Sequence, residues 1–263
     1  MTARGPAPEV PAPVGFGSLI STSWWIVRSH FGALFRPLLV VVAMEWPAWL
    51  LASIVANVDP AGIAASFAVL IPLIVRVTSH GLGVALGAAI IADGIAGENA
   101  SARCAVRKGR PLFKETLAAS MFGALLAMVF MVLSQGLTLL LLPLFFGPPL
   151  IAQVIVLEAK PFQLATRRVR EIGRGQLARI FGYLMAVALF IGLVVFIVPR
   201  VFATSAEPLG DIVQLASFVL FSIVLSAIAL AFYAAATTVA YFDIRARAED
   251  YGLEELKAER GTS

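Results

Sequence analysis

The sequence predicts an all-α fold: a polytopic integral membrane bundle of about six transmembrane helices, set out as three hairpins, each preceded by a basic interfacial amphipathic helix. Three observations predict it. First, the 263 residues are 60% hydrophobic and only 14% charged, with a mean hydropathy of +0.91. A soluble domain is nearer half apolar and a quarter charged, and here the excess lies in runs of about twenty or more residues, enough to cross a bilayer. Second, Lys and Arg collect in alternate connections. Third, Glu45 and Arg76 interrupt the first two apolar runs at matching depth: each lies about fifteen residues from the turn near Asp59–Pro60, and antiparallel helices rise at roughly 1.5 Å per residue.

Residues 1–15 are rich in Pro, Ala and Gly, lack an apolar core, and read as a disordered tail without a cleavable signal. The membrane domain covers 16–252, with spans over about 31–58, 62–91, 115–142, 148–166, 179–199 and 212–240, and 253–263 reads as a cytoplasmic tail. Arg4, Arg28 and Arg36 precede or open the first span. Arg103, Arg107, Lys108, Arg110 and Lys114 follow the second. Lys160, Arg167, Arg168, Arg170, Arg174 and Arg179 surround the end of the fourth, and Arg245, Arg247, Lys257 and Arg260 follow the sixth. Basic residues accumulate on the cytoplasmic side, so both termini are expected inside and the crossings come in pairs. In the fourth span Glu158 follows Pro148–Pro149 after only nine further residues. Either a helix carries Glu158 and Lys160 onward toward Arg167, or the segment is re-entrant.

Three related segments lead into the hairpins: 16–31, 102–113 and 162–177. Aligning Arg28, Arg110 and Arg174 brings Phe31, Phe113 and Leu177 into register. In the third, Phe162, Ala165, Val169 and Ile172 share one helical face, and Arg167, Arg170 and Arg174 another; Phe16, Leu19 or Ile20, Trp24 and Val27 make a similar stripe in the first. Such helices lie in the interface with cations toward lipid phosphates.

An unpaired charge in hydrocarbon is costly, so Glu45 and Arg76 are candidates for a pair facing the bundle interior. An ion pair that pins the first hairpin is the plainer reading; a substrate or proton site is the functional one. His80, one turn beyond Arg76, extends the polar stripe with Thr78 and Ser79. Pro47 and Pro72 flank the two charges and can kink their helices. Gly83-x-x-x-Gly87 permits close helix approach. Ser134, Gln135 and Gln153 are polar groups inside spans and need partners. Arg167, Arg168, Arg170 and Arg174 are candidates for anionic-lipid or partner contact, each worth about 1 kcal/mol near an anionic surface; plain topology determination explains them as well. At the exit of the last span, Asp243 with Arg247 and Arg245 with Glu249 are spaced for i, i+4 ion pairs in a helical extension ending near Gly252.

The exit string Tyr241-Phe-Asp243-Ile-Arg245-Ala-Arg247-Ala-Glu249 and the passage from Val156-Leu-Glu158-Ala to Thr166-Arg-Arg-Val-Arg170 resemble a large group of uncharacterised bacterial membrane proteins. These are similar to the six-helix membrane domain attached to some glycerophosphodiester phosphodiesterases. The resemblance covers roughly 16–252 and implies an all-helical membrane domain of unassigned activity. In the fused enzymes a separate soluble barrel carries the chemistry with metal, histidine and carboxylates. These 263 residues include no such barrel and only two histidines, so phosphodiesterase activity is not carried over.

One cysteine, Cys104, excludes an intramolecular disulfide and a cysteine-cluster metal site, and two histidines are too few for most histidine-based centres. No HExxH, nucleophile elbow or phosphate loop occurs. No enzyme, metal or cofactor is therefore expected, and no nucleic-acid partner, because the cations hug the membrane. The expected function is a noncatalytic membrane module that binds lipid, through anionic headgroups, or scaffolds a membrane-protein partner. A small transporter or permease using Glu45, Arg76 and His80 is the alternative, although a threefold plan departs from the usual two-repeat transporter design. Richness in Ala, Gly and Arg with few Lys points to a bacterial source, hence the plasma membrane.

Overall fold

The computed structural model describes residues 15–58, 63–133, 149–176, 178–187, 189–191, 194 and 211–261. Among them every regular element is helical and no strand occurs. The turn expected near Asp59–Pro60, and Ser134 and Gln135, lie outside the described residues.

Helix α1 (Phe16–Ser29) stops at His30, whose N–H donates to the Ile26 carbonyl at 3.0 Å, and α2 (Phe31–Ala43) starts at once. The first apolar run then breaks at Met44–Glu45 before α3 (Trp46–Val58). Pro47 has no N–H to continue the ladder; the chain restarts with the Glu45 carbonyl accepting from Ala48 and Trp49 at 3.1 and 3.3 Å. Helix α4 (Ile63–Ile95) is unbroken over 33 residues despite Pro72, about 50 Å at the usual rise. It closes with Gly97 at φ 83°, which places the Glu98 N–H 2.8 Å from the Asp93 carbonyl. Only glycine takes that left-handed position without strain.

Ser101 caps α5 (Ala102–Gly109), its Oγ accepting from the Cys104 N–H at 3.3 Å. A 3-10 turn, Arg110–Leu112, leads to α6 (Phe113–Leu133). Next come α7 (Pro149–Glu158), α8 (Phe162–Ile172), α9 (Ala178–Ile191), α10 (Asp211–Glu249) and α11 (Leu253–Gly261). Each of the three related segments is thus a separate helix, α1, α5 or α8, divided by a break from the helix that follows it.

Two expectations are corrected. The fourth span, 148–166, is not one helix: α7 ends at Glu158, Ala159 takes φ 52°, and Pro161 precedes the separate helix α8. Proline at the boundary pushes the preceding residue out of the helical region. The apolar stripe expected on α1 is split: Leu19 and Val27 are buried with Thr22, Ser23 and Ile26, whereas Ile20 and Trp24 face outward. A polar Ser23 fits inside because its hydroxyl lies 2.9 Å from the Tyr183 hydroxyl and 2.7 Å from the Leu19 carbonyl.

Helix α4 is the centre of the molecule, packing on α6, α10, α3 and α2. Its small residues make that possible. A Cβ on Gly87 would stand 2.6 Å from Ala234 Cβ, and one on Gly83 would stand 2.8 Å from Leu230 Cδ2, so α10 meets bare backbone there. Among the described residues, three helical stretches are long and apolar enough to cross a bilayer, Phe31–Val55, Leu70–Ile95 and Ala216–Glu249. Large apolar side chains on the outside, among them Val40, Met44, Leu50, Ile54, Ile71 and Leu220, suit hydrocarbon surroundings. This is the signature of a membrane protein.

Candidate functional site

Two polar constellations stand out, one in the middle of the apolar helices and one at an end of the bundle.

The first is built where α2 gives way to α3. Helix α3 packs along α4, so the break presents Glu45 to the face of α4 carrying Arg76, Ser79 and His80. Glu45 Oε1 accepts from Ser79 Oγ at 2.6 Å and lies 3.0 Å from His80 Nδ1; Oε2 faces Arg76 Nε at 3.9 Å. His80 Nδ1 is also 2.8 Å from the Arg76 carbonyl. A carbonyl only accepts, so Nδ1 donates to the Arg76 carbonyl while standing beside the Glu45 carboxylate. The carboxylate side chain is 6% exposed and the guanidinium 41%. The set is therefore a buried anion steadying a cation that looks outward. Ser79 and His80 both turn to the carboxylate, not to each other, so no nucleophile–base pair forms. No group of three or more metal-ligating side chains occurs among the described residues.

The second constellation ties helix ends together. Glu158, closing α7, accepts from Lys160 Nζ at 2.6 Å, from Arg168 Nε of α8 at 3.0 Å and from the Tyr241 hydroxyl of α10 at 2.7 Å. Arg168 also pairs with Glu249. Arg245, its side chain 7% exposed, lies flat over the Tyr251 ring with its guanidinium carbon 3.5 Å from the centroid. It donates through both terminal nitrogens to Glu259 of α11, at 3.2 and 3.0 Å. The fork geometry suits Arg and not Lys. Tyr251 donates to the same carboxylate at 2.7 Å.

Two smaller knots flank this network. Asp93, fully buried at the end of α4, meets Lys108 at 3.3 Å and Arg260 at 3.7 Å. Asp243 takes Arg247 at 3.1 Å and Arg179 at 3.3 Å. The i, i+4 pair Arg245–Glu249 is also formed, at 3.1 Å.

Burial alone would raise the Glu158 pKa, but hydrogen bonds from Lys160 and Tyr241 and the charges of Arg245 and Arg168 outweigh it and hold the carboxyl below its ordinary range. Burial likewise works against the charge on Arg168, and Glu158 with Glu249 overcome it and raise the guanidinium. Burial pushes the Tyr251 phenol up, assisted by its bond to Glu259.

The four arginines singled out on 167–174 separate. Arg168 is engaged inside the network. Arg167 is exposed and pairs along its own helix with Glu171 at 2.9 Å. Arg170 and Arg174 are exposed, and neither meets a carboxylate among the described residues. Ala165 and Ile172 turn inward, with Phe162 edge-on to Phe122 of α6 at 5.9 Å. The Phe162 N–H donates to Glu115 at 2.8 Å, fixing α8 against the start of α6. Gln153 is satisfied by Thr237 and Thr238 at 3.1 and 3.4 Å.

Sequence reasoning missed Asp93, Tyr251, Glu259 and Arg260. Asp93 had a signal, an acid closing the apolar run Ile90-Ile91-Ala92; its partner Arg260 had none. Compared with known proteins, the chain matches no family model, no curated protein and no solved structure.

Proposed function

We propose that this chain is a noncatalytic membrane module that binds anionic lipid at its basic end or scaffolds a membrane partner there. The reading places it in a bacterial plasma membrane as three hairpins with six crossings and both termini cytoplasmic. The reading retains the helical membrane domain implied by the resemblance to phosphodiesterase membrane domains, and none of their chemistry.

One observation carries it. Ion pairs and hydrogen bonds join the end of α4, α5, α8, the last turns of α10 and α11, so the basic segments gather at one end of the bundle. There Asp93, Glu158, Asp243, Glu249 and Glu259 are paired within the network, while Arg170 and Arg174 face outward and meet no carboxylate among the described residues. Unspent cations beside an apolar belt suit lipid phosphates. The test is native mass spectrometry of the full chain released from nanodiscs of phosphatidylcholine and phosphatidylglycerol. Wild type is expected to retain phosphatidylglycerol preferentially, and the Arg170→Glu, Arg174→Glu variant to lose part of that preference. Equal retention of both lipids by wild type overturns the lipid reading. A stoichiometric protein retained from native membrane then makes the scaffold reading the surviving one.

A second reading, a small permease, draws on the Glu45–Ser79–His80–Arg76 cluster. Flux lost in Glu45→Gln supports it.

A further inference from the structure

We propose that the apolar cavity under α5 holds one acyl chain of an anionic phospholipid, with Arg110 at the rim pairing its phosphate. This rests on the lipid-binding reading and gives it an address.

The cavity, about 270 Å³ and open on one side, is lined by residues of α2, α4, α5, α6 and α7. It exists because the facing positions are small: Ala85 and Ala89 on α4, Ala105 and Gly109 on α5. Larger side chains there would close the core. The wall is dry. Apart from Arg110, its one polar side chain is Thr116, whose hydroxyl is spent on the Leu112 carbonyl at 3.0 Å. Water needs two or more polar partners to be held in such a space, so water is a poor filler. A folded helix, about 10 Å across, is far too wide. What remains in a bilayer is hydrocarbon.

Shape and charge agree. From Ala89 to Leu82 the slot follows α4 for about 10 Å, from the basic end toward the middle of the helix. Phe113 is half exposed at the opening. Arg110 is exposed, meets no carboxylate among the described residues, and stands one turn before the exposed Lys114. A chain in the slot therefore brings its phosphodiester to a guanidinium able to grip two oxygens.

The experiment uses the full chain in nanodiscs of phosphatidylcholine with a minor fraction of phosphatidylglycerol bearing a photoactivatable group on one acyl chain. Crosslinked peptides are mapped, and retained lipid is counted by native mass spectrometry. Crosslinks are expected within 82–89 and 105–116. Arg110→Glu removes one attraction and adds one repulsion, each about fivefold, so the phosphatidylglycerol preference at this site should fall about twenty-five-fold. Gly109→Leu adds bulk to the slot wall at a position where a Cβ meets nothing within 4 Å; it should weaken the same crosslinks, with thermal unfolding checking that the fold is kept. If phosphatidylglycerol is retained but crosslinks fall elsewhere, or both variants leave them unchanged, the site is wrong and the lipid reading stands. If wild type shows no preference for phosphatidylglycerol, both fall.

Discussion

At Glu45 one carboxylate oxygen collects Ser79 and His80 while the other faces Arg76. This division separates two roles that the spacing of Glu45 and Arg76 leaves merged. The ion pair at 3.9 Å is loose, whereas Oε1 takes a 2.6 Å hydrogen bond from Ser79 and has His80 Nδ1 at 3.0 Å. Glu45→Gln keeps an oxygen for those donors and removes the charge opposite Arg76. In nanodiscs it is expected to cost about 2 kcal/mol, the scale of an uncompensated charge among apolar helices. Because the cost lies in the pair, Glu45→Gln and Arg76→Gln together should cost less than the sum of the two, by about 1 kcal/mol. Chemical denaturation of the two single variants and the double variant measures it. Strict additivity would mean that the two charges do not sense one another.

At the scale of elements, α4 decides how closely the bundle closes. Gly83 and Gly87 admit α10 to backbone contact, with Leu230 and Ala234 seated against them. The Gly-x-x-x-Gly spacing is thus used inside the molecule. Gly87→Leu has no space and is expected to destabilise by about 2 kcal/mol or more through overpacking. Gly182→Ala in α9, where a Cβ meets nothing within 4 Å, is expected to stabilise by about 0.5 kcal/mol from helix propensity alone. Thermal unfolding of the two variants side by side tests the contrast; a harmless Gly87→Leu would deny the α4–α10 seam. The breaks matter as much as the helices. Pro47 opens the first run where Glu45 sits, and Pro161 separates α7 from α8 so that Glu158 faces Arg168 rather than continuing a helix.

Across the whole molecule, Glu158 joins α7, α8 and α10, and through Arg245 the network reaches α11. Its carboxyl is held below the ordinary value of 4.5. A depressed carboxyl pKa contributes stability that is complete above the unfolded value and fades as pH falls through the folded one. Stability is therefore expected to be level from pH 5 to 7 as far as Glu158 is concerned. It should then decline in acid below about pH 4, with α8 and α11 loosening first. Hydrogen exchange of 162–172 and 253–261 against pH checks this. In Glu158→Gln the acid step should shrink, and an unchanged step would assign it to other carboxylates.

The sequence by itself determined the class of molecule: long apolar runs, sorted cations, three separate helices leading into the apolar runs, and i, i+4 pairs such as Asp243–Arg247. These are local or compositional properties, governed by hydrogen bonding within a segment and by the cost of charge in hydrocarbon. Tertiary structure alone decided which polar groups meet. Tyr241 reaches Glu158 across 83 residues of chain, Arg260 returns to Asp93, and Arg168 turns inward while Arg170 stays outside. None of these follows from periodicity, because a buried charge is satisfied by whatever donor the packing brings near it, however distant in sequence. The empty space beneath α5 belongs to the same kind of fact. Four small residues on two helices read as ordinary helix formers, and become a cavity only when the helices are set side by side.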